Sequence, residues 1–111
     1  MNSMEFSELK KRALEVREKY ANLEKRKGSR EWERQDLVRG FVGDVGDLVK
    51  LTMAQDGLRE IPNASEKIAH ELADCLWSVF VIAEKYNVDL EGAFFKTMDE
   101  LDKRIDSEMQ K

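Results

Sequence analysis

One proline, one cysteine and one histidine in 111 residues exclude several kinds of protein at once. An interior proline breaks a helix by removing a hydrogen bond and clashing with the preceding turn, so its near absence leaves long segments free to be helical. Cys75 alone can close no disulfide within the chain, which fits a reducing, cytoplasmic setting; it reads most simply as a small buried hydrophobe beside Asp74. With His70 as the sole imidazole there is no His/Cys cluster of the kind that zinc and softer metals prefer. No apolar run approaches the roughly 18 residues of a membrane span. The opening MNSMEFSELKK lacks the apolar core of a secretory leader. Positive charge is also short: 19 Lys and Arg are scattered among 23 Asp and Glu, for a formal charge of −4. A nucleic-acid polymer is therefore not an expected partner, and an anionic small ligand would need metal ions.

What remains is rich in Leu, Glu, Lys, Ala and Arg with apolar residues spaced three and four apart, the pattern of an all-α chain. Its length suits one domain, residues 1–111. The first helix is expected over about Glu5 to Arg26, with a seam of Phe6, Leu9, Ala13, Val16, Tyr20 and Leu23, ended by Gly28. The second runs from about Glu31 to Gln55, capped by Ser29 and closed by Gly57, with Leu37, Phe41, Asp44, Leu48 and Leu51 along one face. The third starts at Asn63, which forms a capping-box-like pair with Glu66, and ends near Tyr86 with Asn87 as a left-handed cap. The fourth starts at Asp89 and carries Leu90, Phe94, Met98, Leu101 and Ile105. The seam aromatics Phe6, Tyr20, Phe41 and Phe94, and Trp77, are assigned to packing. The third helix is apolar almost all round, through Leu72, Leu76, Trp77, Val79, Phe80, Val81 and Ile82. Three neighbours would not cover it, so a second subunit is expected, with residues such as Phe80 or Val81 contributing to the interface or to a core that the partner completes; the alternative is the centre of a monomeric four-helix bundle.

Four acidic residues stand out against this background. Asp44 and Asp47 in GFVGDVGDLVKL, and Glu71 and Asp74 in HELADCLWSVFVIA, form two pairs at i, i+3 spacing, each pair on one helix face. Both segments are among the most apolar of a chain that is 38% charged. A carboxylate where a helix should be buried is costly unless it is paired or holds a metal. Two such pairs brought together supply four negative charges, suited to two divalent ions and to phosphate chemistry. Gly40, Gly43 and Gly46 lie in the same helix, each costing roughly 1 kcal/mol relative to alanine. Gly40 alone fits close helix packing as well as a ligand. Gly43 and Gly46, next to the aspartates, favour a site.

The run V-G-D-V-G-D-L (Val42 to Leu48) followed by E-L-A-D (Glu71 to Asp74) resembles the signature of the MazG-like, all-α nucleoside triphosphate pyrophosphohydrolases: E-E-x-x-E, a variable stretch, then E-x-x-D. The resemblance continues through L-W-S-V-F-V-I-A, the N-V-D-L-E-G-A-F break and Lys96, covering about residues 30 to 105. It implies a four-helix-bundle-type subunit in a dimer or tetramer. It also implies Mg²⁺-dependent hydrolysis, with Mn²⁺ as a substitute ion, of a (d)NTP between its α- and β-phosphates. By the motif, Asp44, Asp47, Glu71 and Asp74 take the metal-ligand, and so catalytic, positions. Three departures accompany the match. Gly43 replaces the first glutamate, as in a branch with V-G-E-V-G-E-L that includes dCTP pyrophosphatases. Asp44 and Asp47 replace glutamates, each shorter in reach by roughly 1.5 Å, one single bond; the adjacent glycines would compensate by drawing the second and third helices together. Glu100 and Leu101 stand where an asparagine often follows the last-helix lysine.

The chemistry asks for hard oxygen ligands that hold a divalent ion against phosphate oxygens and an attacking water, which carboxylates provide. His70 lies about 100° around the helix from Glu71, a surface or supporting position rather than a ligand. Lys50, Lys96 and Arg104 are candidates for the β- and γ-phosphates, although any one of them is also an ordinary solvated surface charge. Trp32 is the accessible aromatic on which a base could stack. Two rival functions share these features: a phosphoribosyl-ATP pyrophosphohydrolase, whose additional motif is not visible in L-W-S-V, and a non-catalytic helical oligomerisation module whose carboxylates pair with lysines and arginines of another helix.

Overall fold

The computed structural model describes residues 3–111, without the side chains of residues 3 and 4; residues 1 and 2, with which the N-terminal segment read above begins, lie outside it. Among the described residues there are four helices and no strand: α1 (Ser3–Arg26), α2 (Arg34–Gln55), α3 (Ala64–Lys85) and α4 (Leu90–Met109). No described helix is long and apolar enough to cross a membrane.

Three of the helices stop by one device. Gly28, Gly57 and Asn87 adopt left-handed φ values of 71°, 82° and 55°. In each case the following amide reaches back five residues to an otherwise unused carbonyl: Ser29 to Glu24 at 2.9 Å, Leu58 to Met53 at 2.8 Å and Val88 to Ala83 at 2.8 Å. At the fourth helix's entry Asp89 caps as its sequence suggests, its carboxylate accepting from the Gly92 amide at 3.2 Å.

Two helix starts differ from the sequence reading. α2 begins at Arg34 rather than near Glu31, and the Trp32 amide that Ser29 would have capped is taken by Glu24. Glu33 caps instead, its amide donating to Asp36 at 2.9 Å, and Arg30 grips the same carboxylate at 2.7 and 3.2 Å. Between them residues 29–33 form a strap tied back to α1: the Trp32 amide donates to Glu24 at 3.1 Å, and Arg17 donates to the Trp32 carbonyl at 2.9 Å. At α3 the capping box with Glu66 is not made. Asn63 is left-handed, with φ 58°, and from there its side chain does not cap the helix. Ser65 instead donates to Gln55 at 2.9 Å, fastening the start of α3 to the end of α2.

α3 forms the centre. Val81 is wholly buried and Phe80 is 4% exposed; Leu37 and Leu51 of α2 and Ala13 and Ala21 of α1 are also buried apolar residues of the bundle. The Phe6 and Phe80 rings meet with centroids 5.2 Å apart. Phe80 and Val81 are therefore covered within the chain, as core residues rather than as an exposed interface; on α3 it is Leu72 and Leu76 that remain half exposed. α2 supplies α3's main interface and α1 a lesser one. α4 contributes no buried residue, and only its first turns border the α1–α3 body. The result is elongated, 59 × 39 × 25 Å, with a radius of gyration of 17.5 Å where a compact chain of this length would have about 13 Å. Phe94, assigned to packing from its spacing, is half exposed, as are Phe95 and Ile105.

The Arg30 hydrogen bonds, followed by the Glu33 amide, hold the Asp36 carboxyl down at about 2 against an ordinary 3.8. A depressed folded-state pKa means that this contribution is complete above the ordinary value and is lost as pH falls towards 2. Asp36→Asn should accordingly lower the melting temperature by a few degrees at pH 7 and leave a shallower acid limb below pH 4; thermal melts of both proteins across pH 2–7 measure it.

Candidate metal and substrate site

The direction of α2 against α3 follows from three pairings: Gln55 with Ser65 at one end, Asp44 near Glu71 in the middle, and Gln35 donating to the Tyr86 hydroxyl at 3.1 Å at the other. As one number falls the other rises, so the helices are antiparallel. In that register Asp44 and Asp47 face Glu71, and one carboxylate oxygen from each lies within 4.8 Å of the other two. Opposed oxygens around an octahedral Mg²⁺ are about 4.2 Å apart, twice the metal–oxygen distance. The cluster is of that size and is made only of hard oxygen donors.

Asp74 does not join the three. It turns to His70, with Nε2 and Oδ2 3.2 Å apart across one helical turn, and borders the same cavity as Asp44. His70 thus has the supporting position read for it. The four carboxylates still sense one another. Burial first, then the charge of Asp44 and hydrogen bonding to it, then Asp74 and Asp47, push the Glu71 carboxyl above its usual range. Burial likewise raises the Cys75 thiol, with Asp44, Glu71 and Asp74 adding to it. Glu71 Oε1 is sealed from water and has no hydrogen-bond partner among the described residues. A buried carboxylate oxygen left unpaired among like charges costs free energy that a cation would recover.

The glycines divide as read in that Gly40 packs closely, but Gly43 and Gly46 do not bring the two helices together. A Cβ on Gly43 or Gly46 would meet nothing within 4 Å, so these residues front open space and do not draw α2 against α3. Gly40 is the close-packed one: a Cβ there would lie 2.8 Å from the Trp32 ring, which only glycine admits.

Two cavities flank the carboxylates, and His70 borders both. The first, about 730 Å³, lies between α1, α3 and the strap; Tyr20, Trp32 and Trp77 supply its aromatic walls and Asp44 and Asp74 its acidic edge. Trp77 is here a wall rather than core, its indole N–H donating to the Ala13 carbonyl at 3.0 Å and its ring meeting the edge of Tyr20. The second cavity, about 410 Å³, is bordered by Asp47 and Glu71 with Lys50 and Lys67. Lys50 and Trp32 therefore lie beside the carboxylates, on opposite sides. Lys96 and Arg104 do not, since α4 carries them away from both cavities of their own chain. Two residues escaped the sequence reading. Lys67 stands one turn before Glu71, a spacing that was legible. Arg17 is only 7% exposed and lies in the apolar α1 stripe between Ala13 and Ala21, where a buried charge is as anomalous as the aspartates of α2.

Compared with protein-family models, with curated proteins and with solved structures, the chain matches none.

Because Glu71 is disfavoured as an anion in its pocket, Glu71→Gln should melt a few degrees higher than the parent in chelator. Mg²⁺ or Mn²⁺ should raise the parent's melting temperature and leave the variant's unchanged. A variant that melts well below the parent with both proteins indifferent to divalent ions would mean a structural carboxylate.

Proposed function

We propose that this chain is a divalent-metal-dependent hydrolase of phosphoanhydrides. Within that class we read it as a MazG-like nucleoside triphosphate pyrophosphohydrolase, cleaving (d)NTP between the α- and β-phosphates to (d)NMP and pyrophosphate. The observation that carries the reading is the convergence of Asp44, Asp47 and Glu71 within 4.8 Å, with a Glu71 oxygen buried and unpartnered. Among the described residues of this chain, none of the three forms an ion pair with lysine or arginine.

Asp44, Asp47 and Glu71 would hold Mg²⁺. The ion, when bound, neutralises phosphate oxygens and acidifies a water. The chain's own residues supply the rest. A nucleotide laid across the carboxylates reaches Lys50 and Lys67 with its outer phosphates on one side and the aromatic walls of Trp32 and Tyr20 with its base on the other. The His70 contact restrains the Asp74 carboxylate at the cavity edge, where it can accept a proton from an approaching water. Gly43 and Gly46 leave the approach to the aspartates free of side chains.

The proposed assembly is a homo-oligomer, dimer or tetramer. It is supported by the apolar stripe of Phe94, Phe95, Met98, Leu101 and Ile105 on α4, exposed together with Leu72 and Leu76 of α3. Lys96 and Arg104 could reach a substrate only across such an interface.

Pyrophosphate release from a panel of (d)NTPs should require Mg²⁺ or Mn²⁺ and fall by about 100-fold or more in Asp44→Asn and Glu71→Gln. Release of orthophosphate instead, or turnover in chelator, refutes the assignment. Light scattering at micromolar concentration should give at least a dimer mass, reduced to a monomer's by Phe94→Ser combined with Phe95→Ser.

A further inference from the structure

Among the described residues Arg17 is the most anomalous charge, buried more deeply than holding the strap requires. It is 7% exposed, on the one face of α1 that packs inwards. Its Nη1 faces Glu24 at 3.5 Å and its Nη2 donates to the Trp32 carbonyl at 2.9 Å, so two of its three nitrogens hold the strap. The third, Nε, is sealed from water and among the described residues has no acceptor. A buried charged donor without an acceptor is costly, and native proteins rarely keep one without a use for it. The same side chain lines the 730 Å³ cavity, within the volume range of small-ligand pockets, together with Trp32, Tyr20 and Trp77. Aromatic walls select a planar ring; a fixed guanidinium at the back selects a ring that carries a hydrogen-bond acceptor.

From this geometry we infer that Arg17 is the residue that recognises the nucleobase. The ring enters beneath Trp32, stacks against the aromatic walls and presents a carbonyl or ring-nitrogen acceptor to the guanidinium, a small displacement of the Arg17 side chain bringing its Nε–H to the partner it lacks. Arg17 does this from the strap's own anchor, so ring recognition and the position of Trp32 are set by one side chain. The inference rests on the nucleotide reading of the carboxylate site, but base binding needs neither metal nor hydrolysis and can be tested apart from them.

The chain's two tryptophans both wall this cavity, so intrinsic fluorescence reports on it without a label. The full-length protein in chelator is titrated with CMP, UMP, GMP and AMP, and with ribose 5-phosphate as a comparator that has sugar and phosphate but no ring. At least one nucleotide should quench saturably, and ribose 5-phosphate should not. Arg17→Met should weaken that nucleotide about tenfold or more, the loss expected for a hydrogen bond from a charged donor. Glu24→Gln loosens the strap and keeps the guanidinium, so it should weaken binding much less. Absence of saturable quenching by all four nucleotides in the parent protein overturns the inference without recourse to any variant. So does quenching by ribose 5-phosphate of equal strength, or an equal loss in Arg17→Met and Glu24→Gln, which would assign the effect to the strap alone. Saturable base binding in a protein that releases no pyrophosphate with Mg²⁺ would leave this inference standing and remove the hydrolase reading.

Discussion

The antiparallel packing of α2 on α3 is the constraint from which the rest follows. Val81, Phe80, Leu37 and Leu51 lock it from within, and the Ser65–Gln55 and Gln35–Tyr86 hydrogen bonds hold its two ends. Once that register is set, two aspartates on one helix and a glutamate on the other have no freedom to avoid each other. The hydrophobic burial of one face thus carries the electrostatic strain of its rim. A domain of this size has few kcal/mol to spare, so such a cluster is not a neutral decoration.

Much of this was legible in the sequence because it depends on local chemistry. Gly28, Gly57 and Asn87 end their helices because the left-handed region is open to them, and Asp89 caps because a short carboxylate reaches a nearby amide. The meeting of Asp44 and Asp47 with Glu71 was legible for a different reason: i, i+3 spacing on two apolar helices that are neighbours in sequence. The misreadings share a cause. Ser29 and the Asn63–Glu66 pair have the right composition for caps, but a side chain caps only if the backbone beneath it is extended and its amides are not already used. The glycines show the same limit: sequence has Gly43 and Gly46 drawing α2 and α3 together, whereas they front open space and only Gly40 lies under another residue's ring.

The reach of periodicity ends at α4. Its apolar stripe is as regular as that of α1, and a helix with such a stripe reads as a member of a bundle. Spacing states that a face wants to be covered; it does not state which chain covers it. Arg17 is the converse case, a charge within the apolar stripe of α1, passed over because arginines are so common on helices.

The strap also divides the molecule in a way that its helix count conceals. Trp32 is fastened to α1 through Glu24 and Arg17, while the carboxylates belong wholly to α2 and α3. Since α1 holds to α3 less extensively than α2 does, a partial opening that peels α1 away takes the Trp32 tether with it and leaves the carboxylate register intact. The molecule can thereby lose its aromatic enclosure while its acidic cluster persists, so slow amide exchange in α2 and α3 would not by itself mean that the cavity beside them is closed.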